Sequence, residues 1–336
     1  MKRFFALFAA LLTLAASAQD VEDDYVDEGD GTGETNVIAY FCKRDTMEYN
    51  YTSEHYFATG TDTIVKSFYS QDFRLVVSDS TDTGYRLTYT VTAFEREDTI
   101  RVDAAALMRQ KVFQRLKGRP VVFETDEMGS LLQVENWSAI RNDLIQGVYA
   151  AYNELYPLLP GLETLVPKGK LMGIVSQRFQ SEEGVRSWFE DVNALFNAHG
   201  RSFEAEREIN NEGTDEEPAS KTYVVAGLLE EDDAEFEDDY YVTAETTTQL
   251  RGEAIETYLK QLTSALGDDS ELGKALVDLS KQDGVRQLDL TSTSASIYFY
   301  NGWPRAVENT METATEKKTE VKRKYVEWTT RSWYNY

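Results

Sequence analysis

The stretch GYRLTYTVTA, residues 84–93, alternates without a break: Tyr85, Leu87, Tyr89, Val91 and Ala93 point one way, and Arg86, Thr88, Thr90 and Thr92 the other. A period of two, with rings and aliphatics on one side and hydroxyls on the other, is that of a strand with one covered face and one wet face. The two segments before it, Tyr49 to Phe57 and Ile64 to Val77, have the same aromatic and β-branched content. Thr59-Gly60-Thr61-Asp62 and Asp82-Thr83-Gly84 carry turn chemistry between them. Together the three segments predict an antiparallel meander.

Downstream the period changes. Ala105, Met108, Val112 and Leu116 share a helical face, Asp103 can cap it, and Gly118 with Pro120 ends it. A hairpin follows, with Val121–Glu124 and Leu131–Glu135 flanking a turn that ends in Gly129. Trp137, Ile140, Leu144, Val148, Tyr152 and Leu155 then recur at three and four, as do Val185, Trp188, Phe189, Val192, Leu195 and Phe196 between a Ser181 cap and Gly200. Pro157, Pro160, Gly161, Pro167 and Gly169 divide this middle region into separate helices. A second strand set runs through Tyr223–Leu229 and Tyr240–Leu250, separated by the acidic loop Glu230–Asp239. One helical face is formed by Ile255, Tyr258, Leu259, Leu262 and Leu266, another by Leu272, Leu276 and Leu279, and strands return from Val285 to the end. The expected class is α+β, an antiparallel sheet packed against several helices. Phe123, Gly129 and Val134-Glu135-Asn136 are echoed by Phe299, Gly302 and Val307-Glu308-Asn309, a weak sign of two pseudo-repeated halves.

The N-terminus reads as an export signal. Lys2 and Arg3 precede the apolar run Phe4–Leu14, and Ala16-Ser17-Ala18 offers a small-x-small cleavage site between Ala18 and Gln19. The run is too short to span a bilayer, so the chain is not expected to be membrane-spanning. Residues 19–36 are acidic and Gly-rich with little that is apolar, the composition of a disordered leader. Residues 37–336 are then expected to form a single domain. Loss of Lys2 and Arg3 takes the net charge from −25 to −27, a balance that repels phosphate backbones and argues against nucleic acid as a partner.

Catalytic motifs are missing. Gly-x-Ser-x-Gly, His-Glu-x-x-His and a glycine loop between strand and helix are all absent, and Gly31-Thr32-Gly33 lies in the acidic leader with no strand before it. With His55 and His199 as the only histidines, no multi-histidine metal site can form, and His199 beside Gly200 suits a helix C-terminus. The runs Glu230–Asp233 and Glu235–Asp239 lack the ligand spacing of a calcium loop and read as solvated surface. No cofactor is implied. Cys42 is the only cysteine, so no disulfide framework exists. The alternation Val37-Ile38-Ala39-Tyr40-Phe41-Cys42, at the start of the first strand, predicts that both faces are covered and that Cys42 is buried and inert.

The aromatic strands, the Phe-x-x-Asp-x-x-Gly hairpin at Phe123–Gly129, the central helices and the closing Gly302-Trp303-Pro304 with its long strands resemble a family of uncharacterised secreted proteins of anaerobic Gram-negative bacteria. More distantly, the order is similar to the half-barrels of periplasmic lipoprotein carriers. That resemblance implies a curved sheet wrapped around helices and an apolar ligand in its concavity. It also implies O-glycosylation of exported proteins at Asp, then Ser or Thr, then a small or apolar residue, which gives candidates at Thr46, Thr63, Ser80 and Thr99. The functional expectation is a non-enzymatic envelope protein, periplasmic or extracellular, that binds a lipid-like ligand or an envelope protein. The rival class is a glycan hydrolase built on a carboxylate pair. A β-barrel of the outer membrane, suggested by the aromatic end Trp333–Tyr336, is disfavoured by the central helices.

Overall fold

A computed structural model describes residues 34–59, 62–98, 104–158, 167–213, 218–264, 277–278, 280–281, 284–316 and 318–333. The expected signal peptide, most of the leader, and Leu266, Leu272, Leu276 and Leu279 lie outside these residues. The meander is present as β2 (Thr46–Thr59), β3 (Asp62–Thr81) and β4 (Gly84–Asp98), extended by β5 (Val121–Thr125) and β6 (Leu131–Val134). On the other side of β2 lies β13 (Lys318–Ser332), followed outward by β12 (Pro304–Thr315), β11 (Gln287–Tyr298), β10 (Tyr240–Arg251), β9 (Ser220–Leu228) and β8 (Glu206–Asn211). The eleven-stranded antiparallel sheet thus runs in chain order from β8 to β13 and again from β2 to β6, with the first and last long strands paired at its middle. It is open, with β6 and β8 as edges. Register shifts at His55/Tyr56, Asp72/Phe73 and Trp328/Thr330 mark bulges, the device that bends long strands into a curved sheet.

Six helices of the described residues pack with this sheet: α1 (Ala104–Leu116), α2 (Trp137–Leu158), α3 (Lys168–Arg178), α4 (Glu182–Arg186), α5 (Glu190–Phe196) and α6 (Glu253–Ser264). The inward face of β2–β5 is lined by rings that continue onto the helices. Tyr49 stacks on Phe73 at 5.4 Å, Phe73 meets Tyr89 at 5.1 Å, and Phe189, just before α5, meets Tyr89 at 5.6 Å and Phe123 at 5.4 Å. Offset and edge-to-face contacts of this kind add to the apolar burial that holds the layers together. The β6 edge is closed by side chains of α4. Val134 N–H donates to Glu182 Oε1 at 2.6 Å, and Arg186 donates to the Leu131 carbonyl at 3.4 Å. Unpaired edge groups invite foreign strands, and these bonds remove two of them.

Two expectations are corrected. Glu34–Asn36, assigned to the disordered leader, belong to β1 (Glu34–Val37), which pairs with β7 (Arg201–Glu204) in a separate two-stranded sheet. The first strand ends at Val37, so residues 38–42 are not a strand with two covered faces. Val37, Ala39 and Phe41 are buried, whereas Tyr40 is 63 % exposed and Cys42 is half-buried. The backbone there bonds to turns instead of a ladder: Ala39 N–H to the Met128 carbonyl at 2.9 Å and Tyr40 N–H to Asn301 at 3.0 Å. In addition, a segment the sequence left unassigned, Arg201–Asn211, forms β7 and β8; its charges and exposure hide any alternation.

The two turn glycines that echo each other in sequence grip the same segment. Gly129 (φ +96°) lies against Ala39, and Gly302 (φ +83°) approaches so closely that a Cβ there would sit 2.1 Å from the Ile38 carbonyl oxygen. Between them lies His199, 3 % exposed, whose Nε2 donates to the Gly302 carbonyl at 2.9 Å, leaving Nδ1 unprotonated and without a partner among the described residues. Trp303 stacks on Phe41 at 4.0 Å beside it. Burial lowers the His199 pKa from 6.5 to about 4.

Two outcomes follow from this junction. Gly302→Ala is expected to lose about 2 kcal/mol of stability or more, measured by urea unfolding, because an L-residue is strained at this φ and its methyl meets backbone. For His199, the unfolded chain takes up a proton near pH 6.5 and the folded protein only near pH 4. Its contribution is therefore complete above pH 6.5 and is lost as pH falls toward 4, up to about 3 kcal/mol. His199→Gln, which keeps a donor for Gly302, should flatten the urea midpoint across that window.

Candidate functional site

The alternation that puts Tyr69 and Phe73 of β3 on the inward face also puts Gln71 there, 1 % exposed among rings. The start of α5 delivers Glu190 and Asp191 to the same place, and α1 delivers Arg109, 3 % exposed. Arg109 bonds Glu190 at 2.8 Å and the Trp188 carbonyl at 2.8 Å, with its guanidinium 5.1 Å from the Trp188 ring. Lys324 of β13 reaches Glu190 from the other side. Burial opposes the charge on Glu190, but Arg109 and Lys324 outweigh it, and the carboxyl falls from 4.5 to about 2. Asp191 goes the other way: burial raises its pKa against the pull of Arg109 and Tyr89. Tyr89, buried beside Asp191, is held well above the usual phenol range, first by burial and then by that carboxyl.

Along β2 and β13 the polar stripe continues to His55 and Glu320, 5 % and 4 % exposed, whose side chains are hydrogen-bonded. The stripe divides two unlike halves of the inward face. Toward β3–β5 the face is filled by rings and helices. Toward β9–β12 the row containing Val326, Val307, Ser296, Val242 and Ala226 is buried. The next two rows on that face are not. Lys324, Asn309, Ser294, Ala244 and Val224 form one, and Lys322, Met311, Ser292, Thr246 and Thr222 the other. These residues are half-buried, with Ser292 exposed, and Thr222 and Thr246 hydroxyls meet at 2.9 Å. With strands about 4.8 Å apart and like-facing residues about 7 Å apart, the two rows make a half-covered strip roughly 19 Å across the strands. Leu250, Leu288 and Leu290, packed with Ile255 and Leu259 of α6, bound its far end.

A glycosidase needs two carboxyl groups facing a cleft with room for sugar and water. Glu190 and Asp191 have the split ionisation such chemistry uses, but both are engaged by side chains of the core, and Asp191 is 1 % exposed. No cluster of three metal-ligating side chains occurs among the described residues, and no helix there is long and apolar enough to cross a membrane.

The glycosylation candidates are scattered. Ser80 is exposed near the end of β3, after an Asp79 held by Lys43 at 2.9 Å. Thr46 is half-buried with its hydroxyl on the Arg44 carbonyl, and the Asp45 before it is 2 % exposed and accepts from Cys42 N–H and the Trp303 indole. Thr63 lies in β3 with its side chain outside the described set, while Thr99, Ala18 and Gln19 lie outside it altogether. Gln71, Arg109 and Asp191 were not singled out from sequence. The usable signal was a polar residue at an inward position of an aromatic strand, and an arginine between Met108 and Val112 on the apolar side of a helix. Burial, then Asp45, hold the Cys42 thiol above its ordinary range. Labelling of native Cys42 at pH 8 is therefore expected to be slower than for a free thiol and to speed up in denaturant, with no reducible dimer on a gel.

No family model matches the chain, and no curated protein matches it in sequence. Among solved structures, it is similar to one described as lipid-protein interactions in lipovitellin, at 8 % identity and TM-score 0.36, over 88 % of this chain but only 26 % of that one. DynF of the dynemicin biosynthesis pathway of Micromonospora chersina aligns over 89 % of this chain and 86 % of its own, at 6 % identity and TM-score 0.21. An outer membrane channel from Pseudomonas putida F1 aligns over 91 % of this chain and 100 % of its own, at 8 % identity and TM-score 0.13. The chain spans about a quarter of the lipovitellin chain, and these scores carry no argument about function.

Proposed function

We propose that the protein is a non-catalytic binding protein of the cell envelope that holds an amphipathic, lipid-like ligand in a shallow trough along this half-covered strip of β9–β13. One observation carries this reading. The inward face is packed by rings and helices over β2–β5, yet over β9–β12 two of its rows are Ala, Val, Ser, Thr, Asn and Met side chains that remain half-buried, with Ser292 exposed. Methyl and hydroxyl groups in alternation suit a ligand with an apolar body and a few polar groups, since such sites combine apolar contact with sparse orienting hydrogen bonds. The residence is exported, periplasmic or extracellular, following the signal read at Ala18 and Gln19, and Ser80 is the glycosylation candidate with an exposed side chain.

The test is an organic extract of the purified protein analysed by mass spectrometry, together with titration of a fluorescent fatty acid. A bound lipid and saturable probe binding are expected. Ala244→Trp, which fills the trough floor, should weaken the probe by about tenfold or more while leaving the urea midpoint near that of the unsubstituted protein. An empty extract without probe binding, or probe affinity unchanged by Ala244→Trp, overturns the reading. Activity on glycans that disappears on changing Glu190 would replace it with the hydrolase.

A further inference from the structure

Around Asp191 two buried acceptor oxygens are left without a hydrogen-bond partner among the described residues. Gln71 Nε2 donates to the Tyr89 hydroxyl at 2.7 Å and to Asp191 Oδ2 at 2.9 Å, and Tyr89 donates to the same Oδ2 at 2.8 Å. The phenol hydrogen is then used, and the amide nitrogen is engaged by both oxygens. Gln71 Oε1 and Asp191 Oδ1 are left, each buried and without a partner among the described residues. The amide orientation is the one in which Nε2 donates to both Tyr89 and Asp191; turned over, its oxygen would face Oδ2 instead. Two buried acceptors without donors are costly, and a proton on Oδ1 would turn one of them into a donor.

We propose that Asp191 is a neutral carboxylic acid, protonated on Oδ1 and donating to Gln71 Oε1, so that a cyclic acid–amide pair fastens α5 to β3. The proton comes from solvent during folding, and no other bond changes. Burial favours this form. Arg109 from α1, Tyr89 from β4 and the first-turn amides of Asp191 and Val192 oppose it without prevailing. The other groups facing the cluster are the phenols of Tyr51 and Tyr69, from β2 and β3, and Glu190 between Arg109 and Lys324. With Asp191 neutral, one positive charge is left over, and Lys324, its side chain 27 % exposed, can carry it at the edge of water. The competing chemistry is a buried water that donates to both oxygens, which would leave Asp191 ionised.

The sign of the consequence is opposite to that of a salt-bridged carboxylate. An acid whose folded pKa lies above its unfolded value stabilises most below the unfolded value, and that stability is lost as pH rises through the folded one. Carbon-13 NMR of the full chain labelled at aspartate carboxyl groups reads the state directly. At pH 7 one aspartate carbon is expected at its protonated shift, absent in Asp191→Asn. That variant, whose amide can donate where Oδ1–H did, should unfold at or above the wild-type urea concentration at pH 7, with an advantage that grows toward pH 9. A spectrum with every aspartate ionised at pH 7 overturns the proposal, whatever the variant does. So does a loss of about tenfold or more in the folding equilibrium constant of Asp191→Asn at pH 7. The reading stands or falls independently of ligand binding in the trough.

Discussion

The pairing of β2 with β13 is the constraint from which the rest of the structure follows. It joins Thr46–Ala58 to Thr319–Ser332 across almost the whole chain, at the centre of the sheet and not at an edge. Closing so long a loop costs conformational entropy, and contacts this distant in sequence form late relative to hairpins. What offsets the cost is the burial of Tyr49, Tyr51 and Val326 and a ladder of backbone bonds along more than a dozen residues. Each half of the sheet is a simple meander that local turns can build. Only their union makes one concave surface.

That union also creates the polar stripe. Lys324 of β13 meets Glu190 of α5 only because β13 lies beside β2, and the same adjacency sets Glu320 against His55. Buried ion pairs of this kind seldom add much stability over an apolar replacement, because desolvation consumes most of the attraction. Their contribution is to position: Arg109, Glu190 and Lys324 have few alternative partners in the core, so they fix how α1, α5 and the sheet seat on one another. The stripe is the boundary between a face filled by rings and a face on which Ala, Val, Ser and Thr mix with Asn, Met and Lys. The first follows from the size of Tyr and Phe, whose rings need helices to cover them. The second follows from Ala, Ser and Thr, which leave room above the sheet.

Much of the architecture was legible from residue order. Period two in residues 84–93, turn chemistry at Asp82-Thr83-Gly84, and three-and-four spacing from Trp137 to Leu155 report local preferences, and β4, the β3–β4 turn and α2 follow them. Alternation also placed Val37, Ala39 and Phe41 on one covered face. It could not say that Tyr40 faces water, because that depends on the turns at Met128 and Asn301 that take the place of a ladder partner. Nor could it show β7 and β8, whose charged residues lie on exposed strands and carry no apolar rhythm.

The sequence by itself therefore determined most of the elements, their class and the absence of familiar catalytic motifs, since these depend on neighbours a few residues apart. Gln71 and Asp191, 120 residues apart, became partners only when β3 and α5 were stacked. Whether a carboxyl group is charged depends on the water it has lost and on the donors that surround it, and both are properties of the packed interior. The half-covered strip over β9–β13 likewise depends on which rows of the sheet the helices reach. Tertiary structure decided these, because burial and coverage are set by contacts between segments that no spacing rule connects.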